Sequence, residues 1–199
     1  MRTLTLLLCL VATAAVASAQ DKPAAAPSQE PPKAAVAPSQ DRPLVAFDKK
    51  AYGYLKGVLL RSAEKMPEEN YAFKPTDTVR SFGQVLGHVA DSQYAFCSKV
   101  LGEKNPAPKV EPTKTSKADL IGALKDAFAY CDKAYGGMTD TSGTEMVKIF
   151  VEDTPKVDVL TINNMHTVEH YGNLVTYMRM KNIVPPSSEP KESQPPPKK

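Results

Sequence analysis

Apolar residues return every three or four positions in four separate stretches between Val45 and Lys181, and proline or glycine breaks the chain between them. A period near 3.6 places such residues along one side of an α-helix, whereas a half-buried strand needs a period of two. A chain with four such stripes must bury all of them, and helix-on-helix packing is the simplest way to do so.

The first stretch runs from Val45 to Met66. Phe47, Ala51, Tyr54, Val58 and Arg61 form its expected stripe, with Leu55, Leu59 and Ser62 beside them, and Pro67 follows. The second runs from Phe82 to Val100, with Ser81 placed to cap its first turn. Val85, His88, Val89, Ser92 and Phe96 share a face there, flanked by Leu86, Ala90 and Tyr94. Gly102, Pro106, Pro108 and Pro112 then predict an extended connection. The third stretch, Lys117 to Tyr135, is capped by Ser116 and offers Leu120, Leu124, Ala127, Phe128 and Cys131; Gly136-Gly137 is expected to stop it. The fourth, Pro155 to Lys181, opens on Thr154 as cap and Pro155 as first residue. Its stripe is Val159, Ile162, His166, His170 and Tyr177, with Asn173 between the last two and Leu160, Met165, Leu174 and Met178 broadening it. Met146 to Val151 alternates like an extended piece, expected to cross the bundle rather than to join a sheet. The expected fold class is all-α: a four-helix bundle with a longer crossover connection after the third helix.

The ends read differently. Residues 1–19 have a positive start at Arg2, an apolar run from Leu4 to Val16 and the small residues Ala17-Ser18-Ala19, which together predict a signal peptide cleaved after Ala19. Residues 20–43 are rich in Pro and Ala, repeat "APSQ", and lack aromatics, as a disordered linker does. Residues 44–186 form the expected folded domain, and the Pro- and Lys-rich residues 187–199 a disordered tail. Export follows, to a secreted or periplasmic location, with no membrane-spanning segment once the signal is removed.

Charge excludes one class of function. The whole chain carries a formal +3, but residues 44–184 hold 18 Lys and Arg against 17 Asp and Glu. No basic field suited to nucleic acid is present, nor is a glycine-rich phosphate loop or a dinucleotide fingerprint. Cys97 and Cys131 survive signal removal. Export permits a disulfide between them, but spacing leaves three readings open: a helix-to-helix staple, two buried thiols, or a reactive or metal-binding thiol.

The chain has three histidines. His166 and His170 stand four residues apart in "HTVEH", so they project from one helix face about 6 Å apart along the axis. His88 lies on the inward stripe of another helix. Three imidazoles converging between helices would make a divalent-metal site, with zinc or nickel best suited to nitrogen ligands. Such a set leaves a position for water or a small ligand, whose acidity the metal would raise. The order H-T-V-E-H differs from the zinc-peptidase pattern H-E-x-x-H, so Glu169 is turned about 100° from His170 and is read as a base, a partner of a ligand, or a polar edge residue. Asp91 is placed to orient a ring or hold a water. Tyr94, Asn173 and Tyr177 are candidates to line the pocket.

Two segments, "SFGQVLGHVADSQYAFC" and "NNMHTVEHYGNLVTYMRMKNIVPP", together resemble the DinB-like family, the DinB/YfiT-like metalloenzymes. The resemblance covers approximately residues 45–186. It implies a four-helix bundle with a crossover and a cavity holding three histidine ligands, which fall on His88, His166 and His170. It also implies thiol-dependent transferase or isomerase chemistry with a low-molecular-weight thiol as cosubstrate, although export would separate this chain from the cytosolic pool of such thiols. The functional expectation is an exported metal-dependent transferase or hydrolase acting on a small molecule. The alternatives are a non-catalytic metal- or small-ligand-binding module and a structural exported domain. A small-molecule ligand and a second copy of the chain are the partners compatible with this reading.

Overall fold

The computed structural model describes residues 45–190; the expected signal peptide, the whole of the expected linker and most of the tail lie outside them. The described chain runs α1 (Ala46–Lys65), α2 (Phe82–Leu101), α3 (Val110–Thr113), α4 (Lys117–Gly137), α5 (Asp140–Gly143), β1 (Met146–Ile149), β2 (Glu152–Pro155) and α6 (Lys156–Met180), with short 3₁₀ turns at Glu68–Asn70 and Pro186–Ser188. Four long helices form an all-α bundle. α2 packs against α4 and α6, and α1 packs against the same two. The links from α1 to α2 and from α4 to α6 thus join helices that are not principal packing partners. The second of these is the crossover, and it carries a small hairpin.

Local chemistry sets the helix ends. Ser81 accepts the Gln84 N–H, and the Gln84 side chain accepts the Ser81 N–H, closing a capping box at the start of α2. Gly102 ends the same helix at φ +69°, a left-handed conformation that glycine adopts without a steric cost. Ser116 accepts the Asp119 N–H at the start of α4. Lys117 Nζ donates to the carbonyls of Glu64 and Met66, so one cation satisfies the end of α1 while α4 begins.

The core is a continuous apolar cluster that includes Val58, Leu59, Phe82, Leu86, Val89, Leu124, Phe128, Leu160, Leu174 and Met178. All five residues expected on the third stripe are buried in it. A disulfide joins Cys97 of α2 to Cys131 of α4, with Cα atoms 5.3 Å apart, which settles the cysteine alternatives in favour of the staple. Among the described residues no helix is long and apolar enough to cross a membrane.

Several sequence expectations are corrected. In α1, Phe47 and Tyr54 are 77% and 55% exposed, while Tyr52 is only 6% exposed. The inward face includes Tyr52, Leu55, Val58, Leu59 and Ser62, so Val58 of the expected stripe is buried, and the Tyr52 hydroxyl finds the Phe128 carbonyl and Asp132 across the helix pair. The proline-rich connection after α2 contains the helical turn α3; Pro112 falls within its first turn, where proline removes no needed donor. α4 runs two residues past Tyr135 and ends at Gly136-Gly137 as expected, with Met138 as its C-cap. Met146–Ile149 does join a sheet: it pairs antiparallel with Glu152–Pro155, Val147 opposite Thr154 and Lys148 opposite Asp153. Thr154 and Pro155 are therefore strand residues, and α6 starts at Lys156 with no side-chain cap. The hairpin turn leaves Phe150 and Val151 in solvent.

Candidate metal centre

α6 is one unbroken helix through both of its histidines, so their one-turn spacing is realised directly. α2 brings His88 alongside them. The Nε2 atom of His166 lies 3.1 Å from His88 Nε2 and 3.0 Å from His170 Nε2. The three ligand-capable nitrogens all fall within 4.8 Å of one another. His170 is buried, His88 and His166 partly so. The Phe96 ring sits 5.9 Å from that of His166 and forms an apolar wall.

The outer ring nitrogens decide what this convergence means. His88 Nδ1 is 3.2 Å from Glu111 Oε2, and His170 Nδ1 is 3.2 Å from Asn173 Oδ1. Both partners are acceptors, so they place the ring proton on Nδ1 and leave Nε2 bare. A proton on His166 Nε2 can then serve only one of its two neighbours. At least one pair of nitrogen lone pairs therefore meets at hydrogen-bond distance with no hydrogen between. A cation at the common point removes that conflict. Imidazole nitrogens around a four-coordinate zinc, each about 2.0–2.1 Å from it, are separated by about 3.3 Å, close to the spacing found here. The three residues fit a divalent ion.

Electrostatics keeps the rings available. Burial is the main cause that lowers the His166 pKa from its usual range to about 4, assisted by His170, His88 and Arg80. Burial likewise lowers His88, with Arg80 and His170 adding to it and Glu111 opposing. Neutral imidazole is the form that ligates, so both rings are ready at neutral pH. His166 Nδ1 is buried with no hydrogen-bond partner, which leaves this ring without the outer acceptor its two neighbours have.

A cleft of about 590 Å³ opens beside the cluster. His170, Glu111, Arg80, Asn173, Glu169 and Tyr177 are among its lining residues. Asn173 thus contacts His170 and the cleft together. Tyr177 is buried, and its hydroxyl donates to the Arg80 carbonyl at 3.0 Å. Glu169 is exposed and lines the cleft. Two candidates sit elsewhere. Asp91 touches no histidine ring: its carboxylate accepts the backbone N–H groups of Val110 at 2.6 Å and Glu111 at 2.9 Å, because the start of α3 presents unpaired donors to it. Tyr94 is buried beside Tyr130, ring centroids 5.5 Å apart, and does not line this cleft.

Sequence reasoning missed three neighbours. Glu111 pairs with His88, Arg80 pairs with Glu111 at 2.9 Å, and Ser92 Oγ lies 3.5 Å from His166 Nε2 while donating to the His88 carbonyl. Ser92 was legible as a stripe residue one turn beyond His88. Nothing local marks Glu111, which lies on a connection whose path only the fold supplies.

Comparison with known proteins gives concordant results. The family model of the DinB superfamily matches residues 56–174. The chain is 24% identical over 123 residues to the uncharacterized protein YjoA of Bacillus subtilis (strain 168), covering 59% of this chain and 77% of that protein. The crystal structure of a DinB-like protein from Bacillus cereus ATCC 10987 superposes with a TM-score of 0.61 at 17% identity, covering 70% of this chain and 93% of that one. The crystal structure of the DinB-like YjoA from B. subtilis gives 0.57 at 21% identity, covering 68% and 92%. At these identities the two structures speak to the fold.

Proposed function

The chain belongs to the DinB superfamily, and on that footing we propose that it is an exported, metal-dependent transferase or hydrolase for a small molecule, with His88, His166 and His170 as the metal ligands. The observation that carries this reading is the meeting of three Nε2 atoms with too few protons to bond one another. A divalent ion held there, zinc or nickel by the chemistry of three imidazoles, supplies Lewis acidity to an oxygen or sulfur of the ligand. A thiol cosubstrate remains one source of that sulfur.

The protein's own groups do the rest. Glu111 and Asn173 hold the outer nitrogens of His88 and His170, which keeps both rings turned inward. Phe96 keeps water from one side of His166. The adjoining cleft is of a size suited to a small molecule. The Cys97–Cys131 disulfide supports export, because such bonds persist in oxidising compartments.

The test is metal analysis of the chain purified without a histidine tag and reconstituted under controlled metal. About one equivalent should bind, and His166→Ala and His170→Ala should lose it. A folded wild type that takes up none would end the metal reading. Turnover of electrophiles with added thiol, or of hydrolysable esters, should appear with the metal and vanish on chelation. A metal-loaded chain that binds such ligands and leaves them unchanged would be a binding module instead.

A further inference from the structure

His166 and His170 share one helix face, and Asn173 on the same helix holds the outer nitrogen of His170. His88 arrives alone from α2, and no helix geometry sets its ring angle or tautomer. Something else must hold it. Glu111 is the group in contact with its outer nitrogen, and the structure fixes Glu111 unusually well for a residue on a four-residue helical turn.

Its backbone is clamped against α2. Both carboxylate oxygens of Asp91 accept N–H groups at the start of α3, from Val110 and from Glu111 itself. One turn earlier on α2 is Gly87, where an added Cβ would stand 2.8 Å from Glu111 Cα. Only glycine lets the two backbones approach this closely. The preceding residue, Lys109, enters α3 at φ +74°. From this anchored position the Glu111 carboxylate divides its oxygens: Oε2 faces His88 Nδ1 at 3.2 Å, and Oε1 accepts from Arg80 Nε at 2.9 Å. The arginine stops the carboxylate from turning, so its other oxygen stays on the imidazole.

We propose that Glu111 is a positioning residue of the three-histidine centre, and that Asp91 acts behind it by holding its backbone in place. Glu111 keeps the His88 proton on Nδ1, presents the Nε2 lone pair to the shared point, and makes that nitrogen a stronger donor. This rests on the metal reading above.

The test uses the full chain loaded with Co²⁺ as a spectroscopic probe and Zn²⁺ for affinity, measured by chelator competition. Glu111→Ala should weaken binding by about 10–100-fold and alter the visible Co²⁺ spectrum. Glu111→Gln keeps a carbonyl oxygen for the His88 N–H and should recover most of both. Asp91→Ala should shift affinity in the same direction, and adding it to Glu111→Ala should cost little more, since the two act in series. Wild-type affinity in Glu111→Ala, beside clear loss in His88→Ala, would overturn the role. A weakened affinity with an unchanged Co²⁺ spectrum would also overturn it, because lost charge rather than lost orientation would then explain the effect. A wild type that binds neither ion would remove the metal reading itself, a different failure.

Discussion

His166 meets two ring neighbours at one nitrogen and leaves the other buried and unpaired. Its depressed pKa has a direct consequence for the metal-free protein. As pH falls below the ordinary imidazole value of about 6.5, the unfolded chain takes up a proton that the folded ring resists until near pH 4. The unfolded state therefore binds more protons across that window, and stability falls as the pH drops. Urea midpoints of the metal-free chain should decline between these limits, and His166→Gln should flatten the decline; an equal slope in both would show that this ring is not responsible. Asn163 makes the complementary case among uncharged groups. It is fully buried, bonded to Gln93 and to the Tyr135 hydroxyl, and Gln93 in turn donates to Thr167. Asn163→Ala strands those partners and should cost about 1–3 kcal/mol in denaturant unfolding. Met165, the more apolar residue two positions away, is 67% exposed, and Met165→Ala should fall within about 0.5 kcal/mol of wild type. A reversed order would contradict the burial described here.

Among the elements, α3 spans only four residues, yet it carries Glu111, the acid that contacts His88. Its contact with α2 depends on Gly87, so Gly87→Ala must push the two backbones apart. A loss of about 1–3 kcal/mol is expected, as for other overpacked contacts. Gly172, on the exposed side of α6, has nothing within 4 Å of an added Cβ, and Gly172→Ala should gain about 0.4–1 kcal/mol by stiffening the unfolded chain. Thermal unfolding of the two variants should move in opposite directions. The same scale explains why Phe47 and Tyr54 fall off the buried face of the first helix while Val58, Leu55 and Leu59 stay on it. Phe47, Tyr52, Tyr54, Leu55, Val58 and Leu59 surround much of α1 with apolar surface. Hydropathy alone cannot rank two such faces, and the choice falls to the partner that can satisfy the Tyr52 hydroxyl.

Across the whole molecule, the disulfide closes a 34-residue separation and ties α2, which carries His88, to α4. Loop-closure entropy for that length predicts a loss of about 2–4 kcal/mol on reduction or in the Cys97→Ala/Cys131→Ala chain. The shift in urea midpoint measures it, and a thiol assay in denaturant that finds both sulfurs free beforehand would defeat the prediction. Beside that bond runs a buried polar seam. Asp48 of α1 accepts from Asn164 and Thr161 of α6, and Tyr135 of α4 donates to the Leu160 carbonyl. These contacts lock the depth and rotation of α6 against its neighbours, so His166 and His170, further along the same helix, meet α2 at a fixed height.

The amino-acid sequence by itself determined what short-range chemistry controls. It set the four helical stretches, the caps at Ser81 and Ser116, the face shared by His166 and His170, and the family pattern that includes His88. Those features depend on residues within one or two turns of each other. Tertiary structure alone decided which side of α1 faces inward, that asparagines 163 and 164 are buried while Met165 is not, and that Glu111 reaches His88. Each of these turns on a partner distant in the chain, and a polar group can be buried only where such a partner exists to replace water.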